Sequence, residues 1–474
     1  MTRRTNIATN LDWISVLIWL VIMAFGWMNI YSANIMDADQ GIFDLSQRFG
    51  KQIIWISAAI ILAILLLVLD AKFYIFFSYL LYGLLIFLLL AVLLFGKEIN
   101  GAKSWFIIGG FQFQPSEFAK PLTALALARL LTSYNFELRR FWDLSKAGAI
   151  ILAPPLLIML QPDLGSTLVY FSFIFVLFRE GFSSNTMLML AALIFLFIAT
   201  LLLDKVMILL IIIGVSLIIY LIVTRSLKKT TIILFSLTAS FWIFFAINYL
   251  LGSRFSLFQT GLISLVPMII SLLYKGLEHK KYNLLKILAG ALIAVVFIIT
   301  VDYGMNNILK PHQRHRIYVT LGLENDPQGV GYNLNQSKIA IGSGGFSGKG
   351  YLNSTQIKYG FVPEPSTDFI FCNVGEEWGF LGASFVVILY VGLLLRLVFL
   401  AERQRTQYSR IFGYSLVSVL FVHFLINVGM TIGLLPVIGI PLPFFSYGGS
   451  SLWAFTMFLF IFLRLDASRL ENLA

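Results

Sequence analysis

Long uncharged apolar runs alternate with short polar or basic breaks along this chain. Phe73 to Phe95 holds no charged residue. A hydrocarbon layer of about 30 Å needs about 20 helical residues, so such runs predict membrane-spanning helices. The runs lie at 13–31, 52–69, 73–95, 116–131, 147–160, 166–178, 186–203, 206–223, 231–251, 257–274, 287–303, 368–397, 411–431 and 447–464. The pattern therefore predicts an all-α, polytopic transmembrane helix bundle of about fourteen spans. The basic start MTRRTNIATNLDWISV is followed by no small-residue cleavage site, so the first run is read as a retained span.

Lys and Arg set the orientation. With the N-terminus inside, the inner breaks hold Arg139, Arg140, Lys146, Arg225, Lys228, Lys229, Lys280, Lys281, Arg403 and Arg405, among others. The short outer breaks near 204 and 254 hold only Lys205 and Arg254. This is the positive-inside pattern, with both termini cytoplasmic.

Two outer segments depart from it, 96–115 and 304–367. The second carries Lys310, Arg314, Arg316, Lys338, Lys349 and Lys358 against Glu324, Asp326 and Glu364. A long outer segment with a basic excess calls for an anionic ligand. Within it, ENDPQGVGY (324–332) is a polar turn, with Pro327 and Gly329 presenting Asp326.

Composition agrees with the pattern. Hydrophobic residues make up 59% and charged residues 12%, with a mean hydropathy of +0.88. That excludes an ordinary globular domain. The net charge of +11 reflects loops facing the cytoplasm and anionic headgroups rather than nucleic acid. Cys372 is the single cysteine, so the chain forms no internal disulfide and no thiolate cluster. The four histidines are scattered, and the His312/His315 pair is set aside as a metal site.

Several motifs carry chemistry. In GAKSWFIIGGFQFQPSEFAK, Gly109-Gly110 suggest a turn and Pro115 opens a helix with an acid in its first turn. Glu117 and Lys120 share one face at i, i+3. They form either a local pair at an interfacial helix start or, because ionisable groups are costly in a membrane segment, part of a polar cavity. QPDLGS (161–166) reads as a tight hairpin in which Asp163 bonds backbone amides. Seven glycines lie between Gly329 and Gly350, allowing close backbone approach to a ligand and amides that cradle phosphate. IGSGGFSGKG lacks the spacing of a nucleotide-binding loop. Thr367-Asp368 is expected to cap the span beginning DFIF. GLLPVIGIPLPFFSYGGSS (433–451) reads as a broken, re-entrant-like segment.

In order, GAKSWFIIGGFQFQPSEFAK, QPDLGS, NQSKIAIGSGGFSGKG, FVPEPSTDFIFCNVGEEWGFLG and GMTIGLLPVIGIPLPFFSYGGSS resemble the signatures of the SEDS family (shape, elongation, division and sporulation). The forms KIAIGSGG, GKG and LPVIGIPLP are similar to its RodA branch and not to FtsW. The resemblance covers about residues 10–180 and 300–470. It implies an N-terminal transmembrane part (1–184), mostly extra helices (185–303), a large extracytoplasmic catalytic loop (304–367) and C-terminal helices (368–474). About ten helices then belong to the family pattern and about four are extra.

The resemblance implies a peptidoglycan glycosyltransferase that polymerises lipid II at the outer face of the bacterial inner membrane during elongation and shape maintenance. A sugar hydroxyl is a poor nucleophile, so a carboxylate base assists it. An α-linked donor and a β-1,4 product require inversion, which needs one base and no covalent intermediate. Asp326 matches the family's acid, and Glu324 is the weaker candidate. Lys103, Lys120, Arg316, Lys338 and Lys349 are implied near the diphosphate, with Glu117 and Gln336 in the same substrate-binding set. Trp105 matches the family's tryptophan, either under a sugar ring or as an interfacial anchor. The developing charge on the diphosphate calls for Lys and Arg or for a divalent cation (Mg or Mn) as cofactor, and the sequence does not choose between them. Implied partners are lipid II, the growing lipid-linked glycan, a class B penicillin-binding protein transpeptidase and the elongation machinery, with no nucleic acid. The alternatives are a lipid II flippase or transporter, and a non-catalytic scaffold for the transpeptidase.

Overall fold

Backbone amides in hydrocarbon must be satisfied within the segment, which selects helices for long apolar runs. The computed structural model describes residues 7–35, 43–99, 102–108, 111–278, 282–308, 314, 318 and 330–470. Each of the fourteen apolar runs coincides with helix. A short helix α1 (Ile7–Asn10) precedes α2 (Trp13–Asn34), α3 (Arg48–Val68) and α4 (Ala71–Phe95). Next come strands β1 (Lys97–Ile99), β2 (Ala102–Ile108) and β3 (Phe111–Phe113). They are followed by α5 (Pro115–Leu131), α6 (Phe141–Met159), α7 (Leu164–Val169) and α8 (Phe173–Arg179). Then follow α9 (Ser184–Leu202), α10 (Lys205–Thr224), α11 (Leu227–Leu250), α12 (Leu257–Glu278) and α13 (Tyr282–Tyr303). The last four are α14 (Val330–Ser343), α15 (Ile370–Glu402), α16 (Gln407–Thr431) and α17 (Gly449–Ala467).

Among the described residues, 12 helices are long and apolar enough to cross a membrane. The other two runs fall short for separate reasons. At 17 residues, α5 carries Glu117, Lys120 and Arg129 and is enclosed by α4, α6, α16 and α17, so it faces protein on nearly all sides. The 164–179 run is split by a 3-10 turn at Tyr170–Ser172.

One difference from the sequence reading is the sheet. The strands Lys97–Ile99, Ala102–Ile108 and Phe111–Phe113 form a three-stranded antiparallel sheet in the order β1-β2-β3. Lys97 pairs with Trp105, and Ile108 with Phe111. Gly109 and Gly110, read as a turn, lie outside the described residues.

The chain divides into two compact units, Met1–Ser183 with Asn325–Ala474, and Ser184–Glu324. In the first unit, ion pairs clamp one end of the bundle: Arg403 Nε to Asp466 at 2.9 Å, Arg410 to Glu180 at 2.9 Å and Arg179 to Glu402 at 2.9 Å. At the other end lie the sheet, the 161–166 hairpin and the 344–369 and 433–448 segments. Residues 433–448 are non-helical, and 442–446 are buried. Their carbonyls find side-chain donors, with Asn427 Nδ2 reaching Ile440 O at 2.7 Å and the Tyr390 hydroxyl donating to Pro443 O. Irregular backbone at membrane depth is tolerated under such cover.

The second unit packs α9 to α13. Lys205 pairs with Asp302 at 2.8 Å. The Asn248 side chain bonds both Phe255 O (2.9 Å) and Phe255 N (3.0 Å), closing the α11–α12 turn.

Candidate functional site

Prolines and glycines deny 433–448 a regular ladder, so beyond the local turn at Leu442–Ser446 its partners come from other segments. Tyr447 N donates to Ser366 O at 2.8 Å and Ser446 Oγ to Thr367 O at 2.7 Å. Gly448 N reaches Gln52 Oε1 at 3.3 Å. Ser450 Oγ donates to Gln112 O at 2.9 Å and accepts from Gln114 N at 3.2 Å. The Gln114 side chain continues to Asp163 Oδ2 at 3.2 Å. Arg48 bonds Glu364 (2.9 Å) and Ser366 Oγ (2.8 Å). Four sequence motifs, from 112–120, 161–166, 364–369 and 433–451, therefore meet at one end of this unit.

Two carboxylates face this junction. Asp163 keeps the turn role read from the sequence, accepting Ser166 N at 3.0 Å as the N-cap of α7. Asp368 does not cap the following helix. Phe369 occupies the N-cap position of α15 and no side-chain cap bond forms. The Asp368 carboxylate instead lies against Gly439, with Oδ2 3.2 Å from where a Cβ there would stand. Burial, then the charges of Glu364 and Asp163, push its pKa up to about 6.

Glu117 and Lys120 form the pair that their spacing suggested. It is 2.9 Å long and buried, with side-chain exposures of 4% and 1%. The Lys120 ammonium sits 5.2 Å from the centre of the Phe455 ring. That ring is in turn 4.8 Å edge-on from His423. Glu117 Oε2 and His423 Nε2 are buried without a hydrogen-bond partner among the described residues, so the pocket retains polar capacity.

The remaining predicted residues are spread over three elements. Lys103 and the half-buried Trp105 lie on β2, and Lys103 Nζ donates to Leu94 O at 3.2 Å, satisfying a carbonyl at the end of α4. Gln336 and Lys338 lie on α14. The Lys338 ammonium end occupies the space that a side chain on Gly433 would need. Ser337 fastens the same helix, donating to Thr431 O at 2.5 Å and lying 2.9 Å from Cys372 Sγ. Lys349 pairs with buried Glu376 at 2.6 Å and donates to Thr355 Oγ1 at 2.7 Å. Arg316, Glu324 and Asp326 lie outside the described residues.

Much of the glycine-rich stretch is committed to α15. Gly379 (φ 62°) breaks that helix, and the freed groups pair with the loop. Lys349 N and Gly350 N donate to Glu376 O and Glu377 O, each at 3.0 Å, and Phe380 N donates to Gly345 O at 2.9 Å. A Cβ on Gly344 would stand 1.9 Å from Gly375 O. Close backbone approach here serves helix packing.

Gln52, Arg48, Gln114 and Asp368 were not singled out as site residues from sequence. Gln114 carried a usable signal, a polar residue just before a proline helix start. Asp368 carried another, an acid at the mouth of a span. Among the described residues no group of three or more His, Cys, Asp or Glu side chains is placed to hold a metal ion. Glu324 and Asp326 lie outside the described residues, and no step is routed through a cation.

A family profile described as "Cell cycle protein", covering FtsW, RodA and SpoVE, matches residues 12–206 and 236–471. The chain is 33% identical over 469 residues to the peptidoglycan glycosyltransferase RodA of Treponema pallidum, covering 98% of this chain and 99% of that protein. It is 30% identical over 444 residues to the peptidoglycan glycosyltransferase MrdB of Escherichia coli K12, covering 94% and 90%. A solved structure described as a peptidoglycan synthase complex that coordinates polymerization and crosslinking superposes with a TM-score of 0.62. It is 25% identical and covers 98% of this chain and 99% of its own.

Proposed function

The chain belongs to the cell cycle protein family of FtsW, RodA and SpoVE, and from that premise we propose how this peptidoglycan glycosyltransferase works. It is a multi-pass membrane protein that builds glycan strands in cell elongation and shape maintenance. Its substrate is lipid II, and the reaction runs at the outer face of the bacterial inner membrane, with both termini cytoplasmic.

Asp326 acts as the general base. It takes the proton of the acceptor sugar hydroxyl as that oxygen attacks the anomeric carbon of the donor, and the lipid diphosphate leaves from the opposite face. Asp326 precedes α14 by four residues. That helix is fastened to α16 and α15 through Ser337, which gives the segment a rigid base. Lys338 on α14 supplies positive charge for the developing diphosphate. The partially exposed Asp368, Asp163 and Gln114 supply acceptors and a donor for sugar hydroxyls. The partner is a class B penicillin-binding protein that crosslinks the strands.

The observation that carries this reading is the meeting of four separated motifs around Asp163, Asp368 and Gln114, at a loop-built end of a helical unit. Functional groups presented by loops on a rigid scaffold are the common form of a catalytic site. The test is to incubate purified protein with lipid II and its transpeptidase partner in detergent, where transport across a membrane cannot occur. Glycan polymer supports the reading. Absence of polymer, with lipid II translocation after reconstitution into vesicles, overturns it in favour of a transporter.

A further inference from the structure

The five helices of the second unit take no part in the site above. At one end of this unit α10 finishes and α11 begins, as do α12 and α13. That end is basic. Arg225 closes α10 in a left-handed conformation (φ 48°), Lys228 and Lys229 open α11, and Lys286 lies near the start of α13. All four are exposed, and among the described residues none has an ion-pair partner. Two lysines in the first turn of a helix oppose its dipole, which favours anions there. Nothing acidic shares that turn, so the two lysines have no counter-charge within it.

Inward from this rim runs an apolar cleft between α10, α11, α12 and α13. Tyr220, Ile233, Leu272 and Leu284 line it near the rim, and Leu209 and Val295 line its depth. Eleven residues separate Tyr220 from Leu209, and eleven separate Leu284 from Val295. At the helical rise this is about 16 Å, close to half of the ~30 Å hydrocarbon thickness. The cleft therefore has the length of one leaflet.

We propose that this cleft holds an acyl chain of an anionic phospholipid, whose phosphate sits among Arg225, Lys228, Lys229 and Lys286. Membrane orientation alone accounts for basic loops, but not for an apolar cleft between the helices they join. Basic pockets between spanning helices on the cytoplasmic side recognise anionic headgroups by the same charge complementarity. A zwitterionic lipid would leave the rim uncompensated, and a polyprenyl chain would overrun a cleft one leaflet deep.

The test is native mass spectrometry of the full chain, released from nanodiscs of equal parts phosphatidylglycerol and phosphatidylcholine. The wild type should retain phosphatidylglycerol by about tenfold or more over phosphatidylcholine. The variant K228Q/K229Q/K286Q, altered only at exposed positions, should bring the two lipids near parity. Ala291→Phe, which fills the cleft and leaves the rim intact, should release both, with unchanged elution on size exclusion as the check of folding. Equal retention of the two lipids by the wild type overturns the proposal. So does retention untouched by both variants, or a bound polyprenyl diphosphate in place of phospholipid.

Discussion

Lys349 Nζ lies 2.6 Å from the Glu376 carboxylate, and that oxygen also accepts Thr355 N at 2.8 Å and Gln356 N at 2.9 Å. One buried carboxylate thus ties the 344–356 segment to α15. Glu376 is fully buried, whereas Lys349 keeps a quarter of its side chain exposed. Removing the acid strands two backbone amides and a cation. Removing the lysine leaves an acid still bonded by amides. Glu376→Ala should therefore cost about 3–5 kcal/mol and Lys349→Ala about 1–3 kcal/mol. Thermal unfolding in detergent checks the order, and equal losses would refute it.

The same loop gives a contrast between two glycines. A Cβ at Gly348 would stand 2.1 Å from Glu377 O, and φ there is +80°, whereas a Cβ at Gly342 in α14 meets nothing within 4 Å. Gly348→Ala should lower the melting temperature by several degrees and weaken polymerisation. Gly342→Ala should be neutral or stabilising within about 1 kcal/mol, because alanine favours helix. Similar melting points for the two variants would show that the loop does not depend on this approach.

Asp368 carries a pH dependence with a definite sign. Its pKa rises from 3.8 to about 6 in the folded protein, so the fold favours the neutral acid. The unfolded chain gives up this proton first as pH rises, and stability from this group falls between the two values and stays low above about pH 6. Asp368→Asn removes that penalty. Its melting temperature should exceed the wild type's at about pH 7.5 and converge with it towards about pH 4. A gap that does not change with pH counts against the raised pKa.

The spans were legible because a hydrocarbon layer imposes a length that any apolar run displays. The 97–113 sheet was not, since three short strands with a glycine pair between them carry no comparable periodicity. Glu117 and Lys120 were readable as a pair from their spacing, while their burial depended on α16 and α17, some 300 residues away in sequence. Asp368 looked like a helix cap because an acid preceded an apolar run. Its actual neighbour, Gly439, comes from a segment with no local mark of that contact. The partner of Lys349, Glu376, sits inside an apolar run where charge alone does not reveal direction. Local chemistry was visible in the sequence, and long-range pairing was not.

Asp326 is the residue on which the proposed reaction turns. Asn keeps its size and loses the base, so Asp326→Asn should cut lipid II polymerisation by about 100-fold or more, in line with loss of general-base catalysis. Binding of the transpeptidase partner and the melting temperature should hold. The readout is glycan product by gel with partner present. Substantial polymer from a correctly folded variant would move the base to another residue, with Glu324 next in line.

The Glu117–Lys120 pair allows a cycle that separates charge from packing. Both groups are buried and 2.9 Å apart, so each screens the cost of the other's desolvation. Lys120→Met leaves a buried carboxylate without its cation and should cost about 3–5 kcal/mol, and Glu117→Gln leaves a buried ammonium at similar cost. The double variant removes both charges and keeps the volumes close. It should be less destabilised than the sum of the singles, with a coupling of about 1–3 kcal/mol. Polymerisation distinguishes a purely structural pair from a functional one. If the double variant regains stability and activity together, the pair serves the fold. If stability returns while activity stays low, at least one of the two charges acts on the substrate.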